Sequence, residues 1–306
     1  MAEMKFVSKE PIDKGWSGDK KYCVTDWQGN KFLLRVSPIE QYERKKNEYE
    51  LMGQVAALGV PMCKPLEFTI SDEGVYSIQT WIDGVDAEEK AHNLTSDKQY
   101  AYGFEAGRIL KDIHKIPAPE GIEDWEIYFN RKVNRKIQIY GECPIKYENG
   151  QAFIDYINAH RHLLSGRPRT YQHGDYHIGN MMIGNDKQLY IIDFNRNDFG
   201  DPWEEFNRIV WCAQASPLFA TGMINGYFDN DVPTEFWELL ALYISSNALS
   251  SLPWAIPFGR SQIQVMVNQA KDVLSWYDNM KNTVPTWYIE NSIFACSTKC
   301  LSLIKP

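Results

Sequence analysis

The sequence contains no Walker A motif, no paired Cys-x-x-Cys spacing, no internal repeat and no low-complexity segment. Without a Walker A motif, any phosphate-binding loop must be of another kind. The six cysteines are scattered, which does not support a zinc site and is typical of reduced thiols in the cytoplasm. The apolar segment 239–257 is interrupted by serine, asparagine and proline, and the first residues do not resemble a signal peptide. These absences predict a cytoplasmic protein without a membrane partner.

Positive charge is also scarce, because 32 lysines and arginines face 40 aspartates and glutamates, for a formal net charge of −8. Nucleic acids bind to basic patches, so this balance predicts no nucleic-acid partner. It is compatible with a cationic ligand, although many cytoplasmic proteins are equally acidic for solubility alone. The chain of 306 residues can form one large core or two lobes.

The segment 171–180, Tyr-Gln-His-Gly-Asp-Tyr-His-Ile-Gly-Asn, carries the main functional signal, together with Ile-Ile-Asp-Phe at 191–194. Phosphoryl transfer requires one carboxylate to orient an acceptor hydroxyl, and an amide oxygen and a second carboxylate to hold magnesium on the phosphates. Asp175, Asn180 and Asp193 match these roles in that order. Apolar residues 181–183 and 189–192 flank a turn at 184–187, which predicts a hairpin. The hairpin would bring Asn180 and Asp193 together as a magnesium site.

Alone, His173-Gly-Asp175 could be a surface turn, but the combined spacing favours a phosphotransferase site over that interpretation. We assign His173 to positioning the loop and give His177 no role. Further upstream, Gly15, Ser17 and Gly18 form a candidate phosphate-covering loop, since glycine lets backbone N–H groups approach an anion. A glycine-containing turn between strands is, however, often only a turn.

The hydrophobic pattern changes along the chain from strand-like to helical. Strands are predicted at 21–27, 31–36, 66–70 and 75–81, and a helix at 43–58 that ends at Gly59. Helices are predicted at 97–114, 125–140 and 151–164, followed by a run of helices over 203–300. We therefore predict an α+β protein with a small antiparallel N-terminal sheet of about five strands and one helix over 1–82, and a large, mostly helical C-terminal lobe over 83–306, with a cleft between them.

These residues identify a resemblance to the aminoglycoside phosphotransferase family, the antibiotic kinases that extend to choline kinases and other small-molecule kinases. The match runs from about Gly15 to Arg208 and is strongest over 173–180 and 192–202. The resemblance implies a two-lobed, protein-kinase-like fold that uses Mg²⁺ and ATP or GTP, with Asp175 as catalytic aspartate and Asn180 and Asp193 as metal ligands. It also implies a hinge that binds the purine through backbone groups, at Gln79, Thr80, Trp81 and Ile82.

Two departures from the kinase pattern affect this expectation. Arg35 stands where kinases usually carry the lysine that holds the nucleotide, and strand alternation places Lys31, Leu33 and Arg35 on one face. An arginine can hold phosphate oxygens and a glutamate together, and we expect Glu48 as its partner. A surface Arg35 and a solvated Glu48 are the alternative. Asn195 stands where protein kinases carry the glycine that follows Asp-Phe, which favours the small-molecule branch.

The acceptor is predicted to be a small, cationic and polyhydroxylated molecule, most similar to an aminoglycoside. Candidate acceptor-binding residues are the acidic and aromatic side chains of the helical lobe, namely Asp198, Trp203, Glu204, Glu205, Asp229, Asp231, Glu235, Glu238 and Trp287. Each of them could instead be a helix cap, a solvent-facing charge or part of the core. Two further hypotheses are a housekeeping kinase of a metabolite such as choline, homoserine or a pentose derivative, and a nucleotide-binding protein without turnover.

Overall fold

The computed structural model describes residues 5–13 and 18–290, and the elements below belong to these ranges. An N-terminal antiparallel sheet has the spatial order β1-β2-β3-β5-β4. Its strands are β1 (Phe6–Pro11), β2 (Lys20–Asp26), β3 (Lys31–Ser37), β4 (Pro65–Ser71) and β5 (Gly74–Thr80). The prediction of about five strands is confirmed, with four of them in the predicted ranges and β1 as the fifth, for which no range was predicted.

The β2–β3 hairpin turns at an aspartate whose side chain replaces backbone partners. Asp26 Oδ1 accepts hydrogen bonds from the backbone N–H groups of Gln28 and Asn30, at 2.8 and 2.9 Å. Gly29 takes a φ of +87°, which glycine adopts at little cost. In β3, alternation buries Leu34 and Val36 on one face of the sheet and turns the neighbouring side chains towards the helical lobe.

The helix between β3 and β4 is α1 (Tyr42–Ala57), preceded by a 3-10 turn at Ile39–Gln41. Residues at three- and four-residue spacing face inward: Lys45, Glu48, Met52 and Val55 are all buried. The helix ends at Ala57, and Gly59, two residues later, takes a φ of +80° that turns the chain towards β4. The buried face therefore combines apolar packing with two charged side chains that need partners.

The C-terminal lobe is mostly helical, as predicted. Its helices are α2 (Ala87–Ala91), α3 (Ser96–Ile113), α4 (Trp125–Glu142), α5 (Gln151–His160), α6 (Ile209–Ala215), α7 (Pro217–Tyr227), α8 (Thr234–Ala255) and α9 (Arg260–Trp276). Further 3-10 turns lie at Arg161–Leu164, Ile178–Asn180, Phe194–Arg196, Glu204–Arg208 and Ile256–Phe258. The predicted helical region beyond residue 290 lies outside the described residues.

Short strands complete this lobe. They are β6 (Gly84–Asp86), β7 (Thr170–Gln172), β8 (Met181–Gly184), β9 (Leu189–Ile191) and β10 (Asp198–Gly200). They pair antiparallel in the orders β6-β8-β9 and β10-β7. The α+β, two-lobed prediction is confirmed, and the strand that directly follows the predicted boundary at residue 82 pairs with the helical lobe.

Helix α8 forms the centre of the helical lobe. With the 3-10 turn that follows it, it is the one helix of the described residues that is long and apolar enough to cross a membrane, and 72% of its apolar window is buried inside the protein. Leu239, Leu240 and Leu242 are fully buried in the core. An apolar helix that is largely buried in this way is typical of the core of a large protein.

Candidate active site

The β8–β9 hairpin brings two of the predicted residues to one place. Met181 pairs with Ile191, so the residues just outside the hairpin, Asn180 and Asp193, come together at its open end. The backbone N–H of Ile192 donates to the carbonyl of Asn180 at 3.0 Å, which extends the pairing to the site. The predicted hairpin is confirmed, with its loop closed by the Lys187 N–H bonding to the Gly184 carbonyl.

His173 connects the loop before β8 to the end of β9. Its buried ring donates through Nε2 to the carbonyl of Ile192 at 2.9 Å, and Nδ1 accepts from the Asp175 N–H at 3.3 Å. These partners require the neutral ring, and burial lowers the pKa of His173 accordingly. The predicted positioning role of His173 therefore agrees with its contacts. The ring thereby fixes the position of the Asp175 backbone relative to the residue before Asp193.

The buried residue Glu205 also holds this loop in place. Its carboxylate accepts from the N–H groups of Gly174, at 3.0 and 3.1 Å, and of Tyr176, at 3.3 Å. Burial raises the pKa of Glu205 to about 8, although these backbone donors act against the shift. Gly174 has a φ of +82°, and a Cβ there would overlap the carbonyl of Arg196. Glu205 is thus a support of the loop.

The other predicted acceptor-binding residues also have partners inside the protein. Glu204 is buried, 3.4 Å from Lys132 Nζ and 3.2 Å from Gln172 Nε2. Trp203 lies under the guanidinium of Arg167, which is 3.8 Å from its ring centroid. Asp198 is exposed and accepts from the Tyr128 hydroxyl at 3.4 Å. Burial removes Glu204 and Glu205 from an acceptor's reach, contrary to the expectation from sequence.

The more remote candidates are spread over the helical lobe. Asp229 pairs with Lys111 at 2.6 Å on the surface, and Trp287 is buried in the core. Asp231 and Glu235 are exposed and Glu238 is half-buried. The candidates come from a strand, a loop and a helix, and none of them is among the described residues that line the cavity containing Asp175.

A cavity of about 610 Å³ lies between the lobes and joins the remaining predicted residues. The residues that were predicted from sequence and line it are Gly18, Arg35, Thr80, Trp81, Ile82, Asp175, Asn180 and Asp193. Gln79 is buried instead, with its side-chain amide 3.8 Å from the sulfur of Met52. Gly15 and Ser17 lie outside the described residues.

A buried network of charges closes one wall of this cavity. Arg35 binds Asp193 through Nη1 at 2.8 Å and Asp19 through Nε at 3.2 Å. Lys45 binds Asp19 at 2.8 Å and Glu48 at 3.0 Å. Burial opposes the charge on Arg35, but the Asp193 and Asp19 carboxylates outweigh it and raise the Arg35 pKa.

The expected ion pair between Arg35 and Glu48 is therefore corrected by the structure. Over residues 5–13 and 18–290, Arg35 pairs with two aspartates, and Glu48 pairs with Lys45, three residues earlier on the same helix. The physical reason is that Asp19 lies between the strand and the helix and accepts from both cations. Neither Asp19 nor Lys45 was expected from the sequence, since no local pattern marks them.

Lys21 is a further residue that the sequence analysis did not select. It lies directly opposite Arg35 in the β2–β3 register, so both side chains are on the same face, and both line the cavity. Burial lowers the pKa of Lys21, and the charge of Asp193 partly offsets this. The hairpin register was available in the sequence and would have placed Lys21 beside Arg35.

Asp175 lies close to two arginines and a histidine that do not belong to this network. Arg208 Nε is 3.3 Å from Oδ1, Arg196 Nη1 is 3.8 Å from Oδ2, and His177 Nε2 is 3.8 Å from Oδ1. Burial alone would raise the pKa of Asp175, but Arg208 outweighs it and keeps the pKa low. Burial lowers the pKa of His177 to about 4, so this ring is neutral near pH 7.

Known proteins resemble this chain in sequence and in fold. A model of the phosphotransferase enzyme family matches residues 9–238. An aminoglycoside 3'-phosphotransferase from Niallia circulans is 24% identical over 204 residues, 64% of this chain and 75% of the relative.

Two solved structures share the fold. A choline/ethanolamine kinase family protein from Mesorhizobium loti has a TM-score of 0.64 at 12% identity, over 90% of this chain and 91% of that one. A thermostable mutant of aminoglycoside phosphotransferase APH(4)-Ia, in ternary complex with ADP and hygromycin B, has a TM-score of 0.62 at 14% identity, over 88% and 94%. At these identities the solved structures establish the fold alone.

Proposed function

The chain belongs to the phosphotransferase enzyme family, and we propose that it transfers the γ-phosphate of a nucleoside triphosphate to a hydroxyl group of a small molecule. One observation carries the proposal: Asp175, Asn180 and Asp193 line a single cavity that also contains Lys21 and Arg35. A carboxylate, two oxygen donors and two cations are the groups that an in-line phosphoryl transfer uses. The cytoplasm, where nucleoside triphosphates are abundant, is the proposed location.

Asp175 is proposed to orient the acceptor hydroxyl and to accept its proton late in the reaction. Its pKa is lowered, so it is ionised at neutral pH and available as a hydrogen-bond acceptor. Its backbone carbonyl accepts from the Asn180 side-chain nitrogen at 2.8 Å, which ties the two residues together. The same bond fixes the Asn180 amide, so that its oxygen remains as a ligand.

Asn180 and Asp193 would hold Mg²⁺. Amide and carboxylate oxygens are the donors that this hard cation prefers, and this donor set supports the assignment. When bound, the metal would neutralise charge on the β- and γ-phosphate oxygens. Lys21 and Arg35 would bind the same phosphates, with Arg35 giving up part of its contact with Asp193. The backbone of Thr80, Trp81 and Ile82 would hold the purine of ATP or GTP.

Two acceptor classes compete. An aminoglycoside is supported by the Niallia circulans relative, whose name states that chemistry. A metabolite is supported by the cations around Asp175, which do not suit a polycationic antibiotic. A binding protein without turnover is the third possibility, since Arg35 occupies an oxygen of Asp193 at 2.8 Å.

The test is magnesium-dependent nucleotide turnover by the purified protein with a panel of aminoglycosides, choline, homoserine and pentose derivatives. We expect Asp175→Asn to bind nucleotide like the parent but to reduce turnover by at least about 10²-fold, because general-base contributions have this size. Asp231→Asn, an exposed carboxylate of the same lobe, is the matched control. Equal turnover by Asp175→Asn and the parent would disprove the assigned role.

A further inference from the structure

A group of basic side chains from three segments starts at Asp175. Arg196 and Arg208 lie 3.8 and 3.3 Å from its carboxylate, and Lys132 pairs at 3.4 Å with Glu204, in the same 3-10 turn as Arg208. This basic cluster consists of Lys132 and Lys136 on α4, Arg196 after Asp193, and Arg208 in the 3-10 turn Glu204–Arg208. Lys132 and Lys136 are four residues apart and therefore share a helix face. Sequence reasoning selected none of the four.

The basic cluster contains fewer carboxylates than cations. Glu204 binds Lys132 at 3.4 Å, and Asp175 is the shared neighbour of Arg196 and Arg208. Asp175 is also the residue proposed to bind the acceptor hydroxyl. Because the charge of Asp198 also acts on Lys132, three carboxylates face the four cations, and the cluster keeps a small surplus of positive charge in a protein whose formal net charge is −8.

Two cations of the cluster, Arg208 and Lys136, have positive charges that the surrounding groups only partly balance. Arg208 Nε is buried and makes no hydrogen bond, since its contact with Asp175 at 3.3 Å lacks hydrogen-bond geometry. Lys136 donates to the hydroxyl of Ser246 at 3.3 Å. Burial lowers the pKa of Lys136 to about 7, and the charges of Lys132 and Arg208 contribute to this shift. A partly desolvated cation of this kind is stabilised by a nearby anion.

We propose that the acceptor carries an anionic group, a carboxylate or a phosphate, near the hydroxyl that Asp175 orients, and that Arg208, Lys132 and Lys136 bind this group. An acceptor with ammonium groups at this position would meet like charges, and the nearby carboxylates of Glu204 and Glu205 are buried. Arginine and lysine donors are the groups that recognise carboxylate and phosphate.

This inference rests on the proposed kinase function. In the reaction, the acceptor oxygen forms a bond to the γ-phosphorus, the bond from that phosphorus to the β-phosphate oxygen breaks, and the hydroxyl proton passes to Asp175. The nucleoside diphosphate is the leaving group, and no further reactant is required. The basic cluster binds the acceptor and does not enter the bond changes.

The experiment uses the complete protein with magnesium and a non-hydrolysable ATP analogue, so that the γ-phosphate position is filled. Calorimetric titrations compare four hexoses that differ at carbon 6: glucose, glucuronate, glucose 6-phosphate and 6-amino-6-deoxyglucose. Kanamycin and inorganic phosphate complete the set. We expect at least about tenfold tighter binding of an anionic probe than of glucose, a difference of about 1.4 kcal/mol. Preference between glucuronate and glucose 6-phosphate would distinguish a carboxylate from a phosphate.

Lys136→Met tests the site itself, because methionine keeps the aliphatic stem and removes the charge. It should weaken binding of the preferred anion about tenfold and leave glucose unchanged. Arg135→Met is the matched control, since Arg135 is the adjacent residue on α4 and its side chain is exposed. It should leave the affinity of every probe unchanged.

Tighter binding of kanamycin or the amino sugar than of the anions would overturn the inference, as would equal anion affinity in the parent and Lys136→Met. If no hexose binds, inorganic phosphate decides: binding that Lys136→Met weakens supports the inference, and absence of phosphate binding overturns it. Failure of the parent to bind the magnesium-nucleotide analogue would instead reject the proposed kinase function.

Discussion

At the scale of single residues, Arg35 determines how the charged side chains around it are paired. Its forked guanidinium reaches Asp193 and Asp19 together, at 2.8 and 3.2 Å, which one ammonium group on a lysine stem does with more difficulty. Asp19 in turn accepts from Lys45, and Lys45 from there reaches Glu48. Arg35 and Lys45 thus join three carboxylates into one network of five charged residues.

Arg35→Met should destabilise the protein, because Asp193 and Asp19 would each lose a buried cationic partner. We expect a loss of about 3 kcal/mol in the free energy of unfolding, measured with denaturant. The control is Lys9→Met, which removes a surface pair with Glu73 and should cost less than about 1 kcal/mol. Similar losses for both variants would show that Lys45 alone satisfies Asp19.

Lys136 predicts a pH dependence of acceptor binding. Its pKa of about 7 is set by burial and by the charged groups around it, Lys132 on its own helix and Glu204 and Arg208 on the facing turn, with the Ser246 hydroxyl from α8. The side chain is charged below pH 7 and neutral above it. The dissociation constant of an anionic acceptor should therefore rise between about pH 6 and pH 9.

The measurement is calorimetric titration of the preferred anion with the magnesium-nucleotide complex at a series of pH values. Lys136→Met should give a flat profile over the same interval, because the titrating group is gone. A parental profile as flat as that of the variant would contradict the role of Lys136. Arg135→Met should retain the parental slope.

At the scale of elements, close packing of α3 against α7 supports the lobe that holds the site. Gly103 and Gly107 on α3 face Gly222 and Gly226 on α7, and a Cβ at any of these positions would overlap a backbone carbonyl of the other helix. Small residues four apart on both helices let the two backbones approach. The loop that carries Asp175 is also supported from a distant part of the chain, by the hydrogen bonds of Glu205.

Gly107→Ala should destabilise the helical lobe, because the added methyl group meets the Met223 carbonyl, and backbone atoms cannot easily move aside. We expect a loss of about 1–3 kcal/mol by thermal or denaturant unfolding. Gly53→Ala in α1 is the matched control, with no atom within 4 Å of the new Cβ. It should stabilise by about 0.5–1 kcal/mol, since alanine favours the helix. Equal effects would show that the α3–α7 contact can open at little cost.

At the scale of the whole molecule, the cleft collects opposite charges on its two sides. The sheet supplies Lys21 and Arg35, and the helical lobe supplies Asp175, Asn180 and Asp193. A nucleotide bound there would contact both lobes and stabilise them jointly. The overall charge of −8 does not describe this region, where Arg196 and Arg208 lie beside Asp175.

Magnesium and ATP together should raise the unfolding temperature of the protein, because they bind the folded cleft alone. At a hundred times the dissociation constant, the stabilisation is about 2.7 kcal/mol. Asp193→Ala should remove the magnesium-dependent part of the shift, while Asp231→Asn should keep it. An equal shift with and without magnesium in the parent would contradict the metal-binding role of Asp193.

Much of the architecture could be predicted because it depends on neighbours in sequence. The order Asp175, Asn180, Asp193 with an intervening hairpin, the strand alternation around Arg35 and the helix ending before Gly59 are all local patterns. The small strands β6, β7 and β10 were not predicted, because three residues of pairing leave no recognisable period.

The sequence by itself determined the family, the two-lobed fold and the residues proposed for phosphoryl transfer, since short-range spacing carries this information. Only the tertiary structure decided that Asp19 partners Arg35, that Glu205 supports the loop of Asp175, and that Arg208 approaches Asp175. These contacts join residues far apart in the chain. Their energies depend on burial and on the groups that meet there, which no local pattern contains.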